Sequence, residues 1–108
     1  MKTITEAAFQ RQVVQFARLC GWTVYHTFDS RRSDPGFPDL VMVRAGRPVV
    51  YAELKTVAGR VRPEQAKWLE LLRLTPSQVF LWRPTPECWA EIERVLGDGT
   101  VKTKGVLV

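Results

Sequence analysis

The sequence has little of what several protein classes require. Two cysteines and one histidine among 108 residues are too few for a disulfide framework or a zinc site. No apolar run reaches the roughly 18 residues of a membrane span, and no signal-peptide pattern opens the chain. There is no glycine-rich nucleotide-binding loop, internal repeat or low-complexity tract. We therefore expect one small domain over residues 1–108, in the cytoplasm and without membrane contact.

Negative charge is also in short supply. Sixteen lysines and arginines face eleven aspartates and glutamates, which gives a formal net charge of +5. A basic balance favours an anionic partner, most often nucleic acid, although solvated surface lysines can produce the same balance. Hydrophobic residues make up 45% of the chain, which is enough material for a core.

The chain does contain a regular succession of helical and strand patterns. Helices are predicted from Thr3 to a stop at Gly21, over 63–74 and over 86–97, and strands over 22–28, 39–44, 48–55 and 77–83. Thr3 and Glu6 predict a capping box at the first helix. The order α-β-β-β-α-β-α, with an antiparallel hairpin followed by a parallel β-α-β unit, predicts an α/β fold in which helices flank a mixed sheet. Residues 98–108 are a candidate for an extra edge strand.

Three charged residues interrupt the most strand-like stretch, GFPDLVMVRAGRPVVYAELKT (36–56). Asp39 begins one strand of the hairpin, and Glu53 and Lys55 end the other on one face, so we expect the three to meet. Two adjacent carboxylates repel unless a cation joins them, and oxygen ligands favour Mg²⁺ or Mn²⁺. A bound cation, a water and a lysine that holds a phosphate oxygen or positions the water together make a phosphodiester-cleaving centre. The alternative is a turn cap beside an ordinary ion pair, because such short patterns are common.

Two further polar residues lie in line with core positions. Gln65 begins the inward-facing stripe of the second predicted helix, and Glu6 extends the apolar stripe of the first. Gln65 lies only a few residues past Lys55, so it can return towards the end of that strand. The simpler interpretations are that Gln65 is a rim residue that helps to cap its helix and that Glu6 completes the capping box.

In combination, Glu6, GFPDL (36–40), ELK (53–55) and Gln65 resemble the VRR-NUC family, a branch of the PD-(D/E)xK nuclease superfamily close to Holliday-junction resolvases. The resemblance covers about residues 3–83. It implies a restriction-endonuclease-like core and a divalent-metal-dependent DNA endonuclease.

Carried over by position, the resemblance also implies roles for individual residues. Asp39 and Glu53 would bind Mg²⁺ or Mn²⁺, with the Leu54 carbonyl as a backbone ligand and Glu6 acting directly or through water. Lys55 would activate or orient the attacking water. Gln65 would support the lysine or a phosphate.

Stand-alone members of the family look like phage or bacterial proteins. They resemble symmetric dimers that act on branched DNA such as four-way junctions. The resemblance therefore implies a homodimer in a bacterial or phage-infected cell. Trp82, Trp89 and the apolar residues 106–108 are candidates for the dimer interface. Their alternative role is core packing.

Two pairs of arginines should flank the site. Arg31 and Arg32 precede the hairpin, and Arg60 and Arg62 follow Lys55. We interpret them as contacts to DNA phosphates, with solvated loop charges as the alternative.

The rival functions are a non-catalytic nucleic-acid-binding module on the same fold and an enzyme that uses the acids for general acid–base chemistry.

Overall fold

The computed structural model describes residues 3–27 and 34–97, and the predicted order of elements is confirmed. The helices are α1 (Glu6–Leu19), α2 (Pro63–Arg73) and α3 (Pro86–Leu96), and the strands are β1 (Thr23–His26), β2 (Leu40–Val43), β3 (Val50–Leu54) and β4 (Gln78–Trp82). Each strand is shorter than predicted by one or more residues at its ends. The predicted edge strand in residues 98–108 lies outside the described part of the chain. No helix in that described part is long and apolar enough to cross a membrane.

The four strands form one mixed sheet in the order β1-β2-β3-β4. The first three strands are antiparallel neighbours, and β3 and β4 are parallel, as predicted. In the hairpin, Leu40 pairs with Ala52. Continued by one residue, the same register sets Asp39, which directly precedes β2, opposite Glu53 of β3. Because side chains alternate between faces along a strand, these two acids belong to the same face of the sheet.

Helices cover both faces of the central strand β3. Its Val50, Ala52 and Leu54 are buried in the main core with residues of α1 and α3. On the opposite face, Phe37 packs edge-on against Tyr51 of β3 and Trp68 of α2, with ring centroids 6.1 and 5.1 Å apart. A strand buried on both faces is expected to be apolar throughout, so the charged residues at its end require an explanation.

The start of α1 differs from the prediction. Thr5, and not Thr3, is the N-cap residue, and its side chain accepts a hydrogen bond of 3.1 Å from the Ala8 N–H. Both threonines have the chemistry of an N-cap, and only the packed position of the helix decides between them. Glu6 is therefore the first helical residue and does not complete a capping box with Thr3.

The two tryptophans proposed for an interface pack in or against the core of the described structure. Trp82 is fully buried, and its indole N–H donates to Glu91 Oε1 at 2.8 Å. Trp89 packs edge-on against Phe9 of α1, with 5.7 Å between ring centroids. Packing on the core is confirmed for both residues within one protomer, because α3 lies on α1 at this point, and a role of half-buried Trp89 in a dimer interface stays a prediction. Residues 106–108 lie outside the described part.

Candidate active site

The end of β3 brings two charged side chains into the protein interior. Glu53 and Lys55 are only 2% and 9% exposed. The backbone N–H of Lys55 donates to the Trp82 carbonyl at 3.0 Å, which extends the pairing with β4 one residue past the strand. Both side chains are thereby fixed to the frame of the sheet, and a buried charge must be paired to be tolerated.

Asp39, directly before β2, is held between the ends of β1 and β3. Its carbonyl accepts from the Thr27 N–H at 2.9 Å, and its Oδ2 accepts from the Leu54 N–H at 2.8 Å. The predicted meeting of Asp39 with Glu53 and Lys55 is therefore found. The simpler prediction, that Asp39 only caps a turn, is wrong: its carboxylate binds the backbone of the neighbouring strand.

Both carboxyl groups resist ionisation. Burial, followed by the charge of Asp39, raises the pKa of Glu53 from 4.5 to about 7, and Lys55 opposes the rise. The pKa of Asp39 is also raised, mainly by burial, while the hydrogen bond from Leu54 acts in the opposite direction. The charge of Glu6 raises the pKa of both groups. Mutual repulsion of this kind is what a bound cation relieves.

Glu53 Oε2 is the better satisfied of the two oxygens of that carboxylate. Lys55 Nζ lies 3.6 Å from it, and Gln65 Nε2 donates to it at 2.9 Å. Glu53 Oε1 is buried and has no hydrogen-bond partner among the described residues. A buried carboxylate oxygen without a partner carries a desolvation cost of about 1–3 kcal/mol or more. A cation next to Oε1 would remove that cost.

Gln65 makes a contact that the resemblance does not imply, and its support of a phosphate stays a prediction. It binds Glu53, not Lys55, and its Oε1 accepts from the Arg62 N–H at 2.8 Å at the start of α2. The predicted capping role is confirmed, but the rim position is wrong, because Gln65 is only 9% exposed. One amide thus joins the helix start to the acid of the strand.

These residues surround a cleft of about 400 Å³ where strand ends meet the first turns of α1 and α2. Its lining includes Glu6, Gln10, Thr27, Asp39, Glu53, Lys55, Arg62 and Gln65. All five side chains predicted as catalytic therefore face one space. Glu6 is exposed, and the structure shows its influence only as the charge that raises the pKa of Asp39 and Glu53; its part in metal binding stays a prediction.

The donor set fits a hard divalent ion that keeps much of its own water. No group of three or more His, Cys, Asp and Glu side chains is arranged to hold a metal within residues 3–27 and 34–97. Two carboxylates, Asp39 and Glu53, do converge, and one of their oxygens has no partner. Mg²⁺ is commonly bound by one or two carboxylates, with waters and substrate phosphates as the other ligands. The predicted Leu54 carbonyl ligand stays a prediction.

The four arginines predicted to contact DNA separate in the structure. Arg62 lines the cleft, whereas Arg60 is exposed on the connector that precedes α2 and is not part of the lining. Arg31 and Arg32 lie outside the described residues. Their role as phosphate contacts stays a prediction.

The sequence does not predict the structural role of Arg83. One of its guanidinium nitrogens donates to the carbonyls of Thr56 and Gly59 at 2.7 Å and of Val57 at 3.2 Å. It fixes the connector directly after Lys55. No local pattern signals this role, because it depends on the parallel pairing that sets the end of β4 beside the end of β3.

Gly36, the first residue of GFPDL, has a steric role. Its φ is +91°, and a Cβ there would lie 2.5 Å from the Glu64 carbonyl and 2.8 Å from the Gln65 nitrogen. The backbone before Asp39 therefore touches the first turn of α2. Only glycine permits both the positive φ and this close approach.

Comparison with known proteins identifies a family and a fold. The VRR-NUC domain model matches residues 5–85. A solved structure described as a VRR_NUC domain protein is similar with a TM-score of 0.67 at 18% identity, over 91% of this chain and 94% of the other. A second VRR_NUC domain structure gives 0.64 at 20% identity, over 82% and 90% of the two chains.

Hjc, a Holliday junction resolvase from the archaeal hyperthermophile Archaeoglobus fulgidus, has a TM-score of 0.55 at 18% identity, over 72% of this chain and 66% of that one. At such identities the structural likeness shows the fold alone. No curated protein sequence matches the chain significantly.

Proposed function

The chain belongs to the VRR-NUC domain family, and from this premise we propose that it is a divalent-metal-dependent endonuclease that hydrolyses phosphodiester bonds in DNA. The observation that carries the proposal is the partnerless oxygen of buried Glu53, which lies beside Asp39 and Lys55 in an open cleft. A protein that only bound nucleic acid would have no reason to bury this costly arrangement.

In the proposed site, Asp39 and Glu53 hold Mg²⁺ or Mn²⁺, with the Leu54 carbonyl as backbone ligand and Glu6 acting directly or through water. The ion supplies polarisation of the scissile phosphate and acidification of a water. Gln65 keeps Glu53 oriented through the 2.9 Å hydrogen bond to Oε2. The ammonium of Lys55 lies next to the same oxygen, where it can orient the water or contact a phosphate oxygen.

We further propose that the preferred substrate is branched DNA, such as a four-way junction, and that two copies act together in a bacterial or phage-infected cell. The fold likeness to the resolvase Hjc supports this substrate. Two sites related by a two-fold axis would match two symmetric strands of a junction. Arg60 and Arg62, with Arg31 and Arg32, would contact the phosphates around the site.

A nuclease panel tests the proposal. The wild-type chain is incubated with four-way junction, flap, nicked and plain duplex DNA, with Mg²⁺, Mn²⁺ or EDTA. We expect cleavage only with a metal ion, fastest on branched forms. Lys55→Ala should lower the rate by about 10²–10⁴-fold, the range for a positioned proton-transfer or water-orienting group.

Lys67→Ala is the matched control, because Lys67 is an exposed lysine on α2 outside the cleft lining. It should cleave at the wild-type rate. Binding to DNA without cleavage under any of these conditions would favour the non-catalytic module, and full activity of Lys55→Ala would show that the assigned chemistry is wrong.

A further inference from the structure

A second groove begins at the candidate active site and follows α1. It has a volume of about 300 Å³ and is lined by Gln10, Arg11, Val14, Gln15, Arg18 and His26. Gln10 also lines the cleft that contains Asp39 and Glu53. The two depressions therefore adjoin at Gln10, and we call the second one the α1 groove.

Helix α1 gives the groove a positive wall. After Glu6, its only charged residues are Arg11 and Arg18. Both are exposed, and neither forms an ion pair or a side-chain hydrogen bond within residues 3–27 and 34–97. Seven residues are about two helical turns, so the two guanidinium groups lie on one side of α1 with about 10 Å between their positions along the axis.

His26, the last residue of strand β1, lines the other side of the groove. Among the described strands β1 is an edge of the sheet. Val24 packs against the main core beneath α1, and His26, two residues further, belongs to the same face. Since α1 and β1 are joined by a tight turn at Gly21, the two elements run antiparallel. The groove therefore extends from the strand ends at the cleft back towards that turn.

We propose that the α1 groove binds the sugar-phosphate backbone of a DNA strand as it leads to or from the candidate active site. The identification of the polymer as DNA rests on the proposed function. Arg11 and Arg18 would each neutralise a phosphate. Gln10 and Gln15 would donate amide hydrogens to phosphate or sugar oxygens, a contact that glutamine commonly makes in protein–DNA complexes.

Three features favour a polymeric anion as the occupant. The groove is not enclosed, it adjoins the cleft at Gln10, and the two charged side chains among its described lining residues are both arginines. Cation–phosphate contacts release counterions, so log K falls as log salt concentration rises. Each lost contact makes this slope less steep by about 0.7–0.9.

The test is DNA binding by the full chain in a Lys55→Ala background, measured by fluorescence anisotropy between about 50 and 200 mM salt. Arg11→Ala with Arg18→Ala should weaken binding about tenfold or more and lower the salt slope by about 1.4–1.8. Arg11→Lys with Arg18→Lys should restore most of the slope, because the charges are kept.

The matched control is Lys67→Ala with Arg73→Ala. It removes the same net charge from exposed positions on α2, across the sheet from α1, and should leave the slope unchanged. An unchanged slope in the Arg11/Arg18 variant, or an equal fall in the control, would overturn the inference. Circular dichroism confirms that each variant is folded.

The outcomes separate this inference from the proposed function. If wild-type protein cleaves DNA in a metal-dependent way but the Arg11/Arg18 variant keeps its slope, the groove inference fails and the nuclease proposal stands. If no metal supports cleavage but the slope falls as expected, the groove binds DNA and the nuclease proposal fails.

Discussion

Two carboxylate–cation pairs in this protein have nearly the same length and very different surroundings. Lys55 Nζ lies 3.6 Å from Glu53 Oε2, with side chains 11% and 2% exposed. Arg94 lies 3.7 Å from Glu91 Oε2, with side chains 70% and 36% exposed. The surface pair contributes at most about 1 kcal/mol. The buried pair carries a large desolvation cost that one cation at this distance does not repay.

The difference indicates what each pair is for. Glu91 is solvated and also accepts from the Trp82 indole, so its role is structural. Glu53 keeps a buried oxygen without a partner among the described residues and has a pKa raised to about 7. An apolar residue would make a more stable strand end. Retaining the acid is understandable if a further cation completes the site.

The largest difference should come from neutralising the two glutamates. Glu53→Gln should lower metal-dependent cleavage by more than the about 10–100-fold that is typical of residues that only orient a ligand. Glu91→Gln should stay near the wild-type rate. Single-turnover cleavage of the best DNA substrate at saturating Mg²⁺ measures both. Equal loss in the two variants would remove the distinction between the pairs.

A second variant disturbs the surroundings of Glu53 without changing a charge. In Gly36→Ala, the new Cβ would meet the Glu64 carbonyl at 2.5 Å, which forces the first turn of α2 and Gln65 away from Glu53. We expect a loss of about 1–3 kcal/mol in the free energy of unfolding together with reduced cleavage, measured by urea denaturation and nuclease assay.

Gly46→Ala is the control for Gly36→Ala. Gly46 also has a positive φ, +80°, but no atom of the described residues lies within 4 Å of its Cβ position. It should cost only the strain of the backbone, about 1–2 kcal/mol, and leave cleavage unchanged. If both alanines cost the same and both spare activity, contact between residue 36 and α2 does not position the site.

The pH dependence of stability offers a third comparison. The pKa of Glu53 is about 7 in the folded protein against an ordinary 4.5, so between these values the folded state binds a proton that the unfolded chain releases. The contribution of Glu53 to stability is therefore largest below pH 4.5 and is lost as the pH rises through about 7. Asp39, whose pKa is also raised, acts in the same direction.

Thermal unfolding in EDTA measures this loss of stability. As the pH increases from 4.5 to about 7, the melting temperature of the wild type should fall relative to that of Glu53→Gln. Saturating Mg²⁺ should reverse the fall, because a bound cation stabilises the ionised carboxylates. Parallel curves for wild type and Glu53→Gln in EDTA would contradict the assigned pKa.

The smallest effect is expected at the surface pair. Arg94→Ala should change the free energy of unfolding by no more than about 0.5 kcal/mol, as for other exposed helix pairs at this spacing, with no effect on cleavage. Urea denaturation of the wild type and the variant measures it. A loss above about 2 kcal/mol would place the pair outside the range for exposed ion pairs.

The sequence alone predicted the parts of the site that depend on local register. The short turn between β2 and β3 was enough to set Asp39 opposite Glu53, and alternation on β3 then added Lys55 to the same face. The periodicity of α2 correctly turned Gln65 inward. These inferences succeed because neighbouring strands and helix turns fix side-chain direction.

What the sequence could not predict depends on contacts between distant elements. Three features require the packed arrangement of helices on the sheet. They are the choice of Thr5 over Thr3 as N-cap, the hydrogen bond from Gln65 to Glu53, and the hydrogen bonds from Arg83 to the connector after Lys55. The meeting of the α1 groove and the cleft at Gln10 has the same origin, since Gln10 lines both only once α1 lies beside β1.

Calorimetric titration with Mn²⁺ tests the central claim most directly. We predict a saturable metal site in the wild type and in Glu91→Gln, and its loss in Glu53→Gln and Asp39→Asn, with all four proteins folded by circular dichroism. Undiminished Mn²⁺ binding in Glu53→Gln and Asp39→Asn, or no saturable binding in the wild type, would contradict the claim that these two carboxylates form a metal site.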